Sequence, residues 1–263
     1  MSQEAVCAGP PGGAARCVHF DGSASFEVGL ASARALRIVD HGVCAVYDAG
    51  VNCAFGRLDA LDPPVRVEGI AAPTAFDARG FSLCAIDAGI VMCASPFTPR
   101  RSFGVDEGFR PPILAKAIRG TQGAVEVAVG GPKCARTEVG AVLCWTDNVA
   151  KTVSGLPKAT QLVAGTDFAC ALDEVGGVHC WGENKGGQLG APSDRCPEVH
   201  PCVGRGGCSR RCDEPVVVEG LPPVAELAAG ASFTCALTTL GDVYCWGEGN
   251  GPPGSSEPHL VKL

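Results

Sequence analysis

The chain has 263 residues, enough to bury a large core in one domain, and is 46% apolar and only 19% charged, which excludes extensive disorder. Its 36 glycines and 20 prolines imply many turns. The net charge of −7 argues against a phosphate-binding surface spread over the molecule, so nucleic acid is not an expected partner, and no run approaches a membrane span.

The first predicted element is a hairpin with a cysteine on each arm, Val6-Cys-Ala-Gly-Pro-Pro-Gly-Gly-Ala-Ala-Arg-Cys17. The pattern recurs as Val43-Cys-Ala-Val-Tyr-Asp-Ala-Gly-Val-Asn-Cys53 and Leu83-Cys-Ala-Ile-Asp-Ala-Gly-Ile-Val-Met-Cys93. These two are one residue shorter than the copies that follow, and a shift of strand register is expected in them. Lys133-Cys-Ala-Arg-Thr-Glu-Val-Gly-Ala-Val-Leu-Cys-Trp145 is the next copy, and those at 168–190 and 231–247 are the closest pair. A second element, Gly155-Leu-Pro-Lys-Ala-Thr-Gln-Leu-Val-Ala-Gly165 or Gly220-Leu-Pro-Pro-Val-Ala-Glu-Leu-Ala-Ala-Gly230, precedes the hairpin. Before that lies a short apolar run, such as Pro64-Val-Arg-Val-Glu68 or Pro215-Val-Val-Val-Glu219, which reads as the start of a unit.

The copy at 168–190 fixes the local geometry. If Cys170 faces Cys180, a three-residue loop remains, Glu174-Val175-Gly176. Such loops take a type I turn followed by a left-handed residue, where glycine is least hindered. Leu172 then faces Val178 and Phe168 faces Gly182. One face carries Phe168, Cys170, Leu172, Val178 and Cys180; the other carries Ala169, Ala171, His179 and Trp181. Both faces are largely apolar, so the hairpin is expected between two layers. Each unit offers about four short strands, and no segment keeps a long 3.6-residue apolar period. A four-strand unit repeated around an axis is a propeller blade. The expected fold is an all-β propeller of about six four-stranded blades, with one blade incomplete or composite, in a single domain over 1–263.

The cysteines pair by pattern as Cys7 with Cys17, Cys44 with Cys53, Cys84 with Cys93, Cys134 with Cys144, Cys170 with Cys180 and Cys235 with Cys245. So many thiols, not at metal spacing, read as cross-strand disulfides in an oxidising compartment, extracellular, periplasmic or at the cell surface. Yet Met1-Ser-Gln-Glu-Ala-Val-Cys7 has neither the basic start nor the apolar stretch of a secretion signal. The chain ends at Glu257-Pro-His-Leu-Val-Lys-Leu263, which matches a unit-starting run, while it begins at a unit-ending hairpin. A blade one strand short, or a gene product with a further strand upstream, is expected.

Cys-Ala-Leu-x-x-x-Gly-x-Val-x-Cys-Trp-Gly-x-Asn-x-x-Gly-Gln-Leu-Gly, at 170–190, resembles the repeat of the regulator of chromosome condensation family, and the strands ending Leu-Val-Ala-Gly165 and Leu-Ala-Ala-Gly230 belong to the same repeat. The match is strong over 155–190 and 220–249, fair over 120–147 and weak before residue 100. The resemblance implies a propeller, usually of seven blades. It leaves function open, because the family includes a GTPase exchange factor, ubiquitin-ligase accessory propellers and secreted bacterial propellers.

Repeated residues read as packing: Trp145, Trp181 and Trp246 follow the second cysteine of their hairpins, and His179 alternates with Tyr244 and Leu143. Asn184, Gly187 and Gly190 shape the turn that leaves the blade. Function is expected where the pattern breaks. The segment 191–215 inserts Cys196, Cys202, Cys208 and Cys212 with Arg195, Arg205, Arg210 and Arg211. The cysteine spacings suit two loop-stapling disulfides better than zinc; the arginines suit an anionic partner or a solvated loop. The segment 95–110 places Phe97, Phe103 and Phe109 among Arg100, Arg101 and Arg110, a composition favoured at interfaces and also compatible with packing over a blade edge. No serine-hydrolase, zinc-protease or Walker signature is present, and no Asp box of the sialidase type. The expected function is therefore a secreted or cell-surface, non-catalytic monomer that binds a protein or cell-surface macromolecule, with no cofactor and no metal. Two other classes remain: an exchange factor for a small GTPase, by family resemblance, and a hydrolase or lyase at the propeller face.

Overall fold

A computed structural model describes residues 5–8, 15–19, 25–28, 33–39, 42–57, 60–80, 82–95, 112–192, 195–196, 210–248 and 255–261. The chain divides into two compact units, 1–118 and 119–263. Among the described residues the regular elements are strands, ordered as successive, mainly antiparallel sheets.

In the first unit, β1 (Ala5–Ala8), β2 (Ala15–His19) and β3 (Ser25–Val28) form a three-stranded sheet. A second sheet follows as β4 (Ala35–Val39), β5 (Gly42–Tyr47) and β6 (Gly50–Arg57), with a short β7 (Ala60–Leu61) on the end of β6 and β8 (Val65–Glu68) as the next strand. The third holds β9 (Pro73–Arg79), β10 (Ser82–Asp87) and β11 (Ile90–Ala94); β12 (Ile113–Leu114) runs parallel to β8, and β13 (Lys116–Ala117) closes the third sheet. Val39, Val46, Val51 and Phe55 of the second sheet pack with Phe76, Ala78, Leu83 and Ala85 of the third.

The second unit repeats one four-strand plan three times. The sheets are β14 (Ala124–Val129), β15 (Lys133–Thr137), β16 (Val142–Trp145) and β17 (Lys151–Thr152); β18 (Ala159–Ala164), β19 (Phe168–Asp173), β20 (Val178–Glu183) and β21 (Arg211–Val217); and β22 (Val224–Ala229), β23 (Phe233–Thr238), β24 (Val243–Gly247) and β25 (Ser255–Leu260). The apolar runs expected to start a unit instead end one. Val65–Glu68 pairs with β6, and Val216 and Val217 pair with β20. The second arm of each hairpin has a free hydrogen-bonding edge, and the next extended segment satisfies it. By the same logic the C-terminal run pairs with β24 as the fourth strand of its own sheet.

Within β19 and β20 the register is the one read from the sequence: Cys170 opposite Cys180, Leu172 opposite Val178, Phe168 opposite Gly182. Gly176 has φ +85°. The expected register shift in the shorter copies does not occur. Cys44 still faces Cys53 and Cys84 still faces Cys93, because the missing residue comes out of the loop. In the second of these the two-residue turn Ala88-Gly89 has φ +49° and +74°, as a type I′ turn requires. All five of these hairpins carry a disulfide with Cα–Cα 4.1 Å, the short spacing of a pair that does not exchange backbone hydrogen bonds. Cys7 and Cys17 also face each other in the backbone register of β1 and β2.

The two faces of the 168–183 hairpin join different cores. Phe168, Cys170, Leu172, Val178 and Cys180 pack with Val224, Leu227, Ala236 and Trp246 of the sheet that follows. Ala169, Ala171 and Trp181 pack with Ala128, Cys134 and Val142 of the sheet before. Side chains also reach between sheets. Gln161 accepts from the Leu227 N–H at 2.7 Å and donates to its carbonyl at 3.0 Å. Glu126, at the matching position, accepts from the Leu162 N–H and pairs with Arg136. Gly182 sits at a bulge with φ +107°, where a Cβ would run into the Asp167 carbonyl and Phe168 Cα.

The last residue of β19 caps its turn. Asp173 Oδ1 accepts from the N–H groups of Val175 (2.9 Å) and Gly177 (2.7 Å), and Oδ2 lies 2.9 Å from His179 Nε2. Both side chains are buried. Thr137 and Thr238 hold the same repeat position, and their hydroxyls accept from the Ala141 and Asp242 N–H groups. Burial opposes ionisation of Asp173. The His179 hydrogen bond, the two backbone donors and the imidazole charge outweigh it and hold the carboxyl below its ordinary range.

Two outcomes follow. Replacing Cys170 and Cys180 together by alanine lowers the stability of the second unit by about 2–3 kcal/mol, the chain-entropy value for so short a loop, read from denaturant unfolding followed by tryptophan fluorescence. The Asp173 carboxyl ionises at lower pH folded than unfolded. Its stabilisation is therefore complete above the unfolded carboxylate range and is lost as pH falls through the folded value. Asp173→Asn flattens the acid limb of a stability–pH curve and costs about 1–3 kcal/mol at neutral pH; an unchanged acid limb would show that the pair does not hold the turn.

Candidate functional site

The repeat breaks after β20, and the structure ties down both feet of the break. Asn184 is buried in the exit turn. Its Nδ2 donates to the Ala191 carbonyl at 3.1 Å, and its Oδ1 accepts from the Leu189 N–H at 3.1 Å. Leu189 is fully buried, so the segment Gly187-Gln-Leu-Gly190 is anchored from inside. The Gln188 carbonyl then accepts from Trp246 Nε1 at 3.1 Å and from the Thr234 hydroxyl at 3.3 Å, across to the next sheet. Trp145 stands at the same place in its own hairpin, and its buried Nε1 has no partner among the described residues.

The outgoing foot ends at Cys196, buried and disulfide-bonded to Cys212 of β21. Two of the four insertion cysteines are thereby committed to each other, which removes the four-thiol zinc alternative; Cys202 and Cys208 lie outside the described residues. The returning foot re-enters at Arg210, whose carbonyl accepts from the Asn184 N–H at 2.7 Å. A disulfide, a main-chain bond and the Asn184 network thus clamp the ends of the insertion at one edge of the 159–217 blade.

The arginines carry less free charge than their sequence clustering suggests. Arg195 lies 2.8 Å from Glu219, and Arg211 lies 2.9 Å from Asp213, all four side chains exposed. Arg210 is half-buried with its backbone in a β-bridge. Exposed ion pairs of this kind are worth about 0–1 kcal/mol, so an incoming anion displaces the local carboxylate at little cost. Glu219 and Asp213 are the residues that sequence reading missed. Both stand in the chain within reach, at the ends of the 211–219 segment, but a charge count along a loop does not say which side of a strand each one takes. Arg205 lies outside the described residues, as do Phe97, Arg100, Arg101, Phe103, Phe109 and Arg110.

No group of three or more His, Cys, Asp or Glu side chains suited to a metal occurs among the described residues. The buried acid–imidazole pair, Asp173 with His179, has both carboxylate oxygens engaged by the turn and the ring. It is a turn brace.

Two models of the regulator of chromosome condensation (RCC1) repeat match the chain, one over residues 159–188 and 224–251 and the other over 175–237. No curated protein matches in sequence. Among solved structures, the chain superposes on Prp20p from Saccharomyces cerevisiae, a yeast RCC1, with TM-score 0.75 and 15% identity, covering 100% of this chain and 76% of that one. The yeast RCC1 structure with bound Kap60 gives the same score and identity, covering 100% and 74%. Human WBSCR16 matches with TM-score 0.66 and 14% identity, covering 92% of this chain and 70% of that one. Among the described residues no helix is long and apolar enough to cross a membrane. The repeat matches and the four-stranded sheets agree: the chain has a β-propeller fold and carries RCC1-type repeats over residues 159–251.

Proposed function

We propose that the chain is a secreted or cell-surface, non-catalytic binding scaffold, a monomer working as one propeller domain, which holds a protein partner through the clamped insertion at 191–215. The observation that carries this reading is the set of six disulfides among the described residues, five at the centre of hairpins and one at the foot of the insertion. Such bonds persist in an oxidising compartment. They also make a rigid frame for an irregular loop, the arrangement in which loops recognise partners. Arg195 and Arg211, at the two feet, supply displaceable cations for an anionic surface. The segment at 95–110 is a second contact region in this reading, through Phe97, Arg100, Arg101 and Phe103.

A cytosolic exchange factor for a small GTPase is the alternative, drawn from the family resemblance and from the binding of Gsp1p and histones by yeast Prp20p. It requires reduced cysteines, which the hairpin disulfides oppose. The two readings separate by thiol counting on the native protein under denaturing, non-reducing conditions. Few or no reactive thiols are expected; sixteen, the full cysteine count, would sink the secreted scaffold. Its binding arm is tested by capture from the native extracytoplasmic fraction. The Arg195→Glu, Arg211→Glu variant, with unchanged melting, is expected to retain the partner about tenfold more weakly (roughly 1.4 kcal/mol) than the wild type. Equal retention would remove the insertion from the interface.

A further inference from the structure

The three hairpin turns of the second unit share a feature that folding does not account for. Their middle residues are aliphatic and project into solvent: Val139 is 72% exposed, Val175 82% and Leu240 78%. Each sits between a polar residue and a left-handed glycine, in Glu138-Val139-Gly140, Glu174-Val175-Gly176 and Thr239-Leu240-Gly241. Turn tips favour Asn, Asp, Ser and Gly, which satisfy local backbone groups. A β-branched or leucine side chain at such a tip gains no burial. Scattered single exposed aliphatics need no explanation. Three at one repeat position on three successive blades are a pattern.

The backbone shows that the turns line one end of the unit. The Gly140 carbonyl accepts from the Ala159 N–H at 2.8 Å, and Ala159 pairs with Asp173, directly before the next turn. The Gly176 carbonyl accepts from the Val224 N–H at 3.0 Å, and Val224 pairs with Thr238, directly before the third. Turn, strand end and turn thus alternate along one rim. Each turn is braced from within by the side chain at the end of its first arm, Thr137, Asp173 or Thr238. Exposed carboxylates flank the tips, Glu138 and Glu174 one residue before and Asp242 two residues after, and the exposed cation Lys158 has its Cβ beside Gly140.

We infer that this rim is an interaction surface for a cationic, aliphatic protein segment, an extended stretch that alternates Leu or Val with Lys or Arg. The aliphatic side chains seat against Val139, Val175 and Leu240, and the cations meet Glu138, Glu174 and Asp242. Charge complementarity selects this occupant: a lipid headgroup surface is anionic and is repelled by the same carboxylates. The inference rests on the binding-scaffold reading and gives it a second surface, distinct from the insertion.

The test uses the full disulfide-bonded chain and the Val139→Ser, Val175→Ser, Leu240→Ser variant, with fluorescently labelled probes. One is a synthetic ten-residue peptide alternating Leu and Lys, the second alternates Leu and Glu, and the third is phosphatidylglycerol vesicles. Wild type is expected to bind the Leu–Lys peptide about tenfold or more tighter than the Leu–Glu peptide. The triple variant is expected to lose about tenfold on the first peptide with unchanged melting and disulfide content. Absent or equal binding of the two peptides overturns the inference, as does an undiminished affinity in the triple variant. Vesicle binding that the triple variant abolishes overturns it in favour of a lipid, and concentration-dependent dimerisation that the variant abolishes overturns it in favour of a second copy. If the variant fails to fold, Val175→Ser alone, tested on the same peptides, decides by the same comparison. Where the peptide comparison discards the rim, undiminished capture of the native partner by the variant leaves the insertion reading standing.

Discussion

The second unit depends on one constraint: its central hairpin is apolar on both faces. Phe168, Leu172 and Val178 cannot be solvated on one side, nor Ala169, Ala171 and Trp181 on the other, so the hairpin is stable only between two others. The four-strand plan serves this requirement. The outer strand closes the free edge of the hairpin, and the inner strand carries Gln161 or Glu126 to the main chain of its neighbour. That side-chain reach fixes how far one sheet slides on the next, which apolar contact alone leaves soft. The hairpin disulfide adds to the same end, since it occupies the centre of the buried face and holds the two arms in one register.

The hairpins were legible in the sequence because several independent signals agree there. Cysteine spacing, a glycine at the loop end and two-residue alternation all specify the same register at 168–183. The phase of the blade was not legible. Pro215 to Glu219 precedes the Gly220–Gly230 element in every reading of the chain, and nothing in its composition says whether it pairs forwards or backwards. Hydrogen-bond demand at the free edge of β20 decides that, and edges are visible only in three dimensions. The shorter copies misled for a related reason. Removing one residue shifts a register only if the strands absorb it; here the turn absorbs it, with Ala88 in the left-handed region.

The candidate site was legible as a location but not as electrostatics. The break in the repeat after Gly190 marked the insertion, and four arginines marked it as basic. The carboxylates that answer Arg195 and Arg211 sit on the returning segment, Glu219 well downstream and Asp213 two residues on. Sequence clustering counts like charges along the chain, whereas the field at a surface sums whatever the strands bring alongside. His179 was read as packing, and its burial agrees, but its partner Asp173 turns the residue into a brace for the adjacent turn.

Burial of both faces also restricts where the 168–183 hairpin can bind anything. A partner cannot reach the faces of the 168–183 hairpin without separating it from its neighbours, so recognition there is confined to turns and connections. Those turns are not loose. Asp173, Thr137 and Thr238 satisfy their inner donors, and the main-chain bonds from Gly140 to Ala159 and from Gly176 to Val224 fix two of them to the neighbouring strand. A side chain at a turn so held loses little freedom when it is covered, and the entropic cost of ordering an interface is correspondingly small. The cross-strand bonds that stabilise the blades thereby also make their exposed ends rigid enough to recognise another surface.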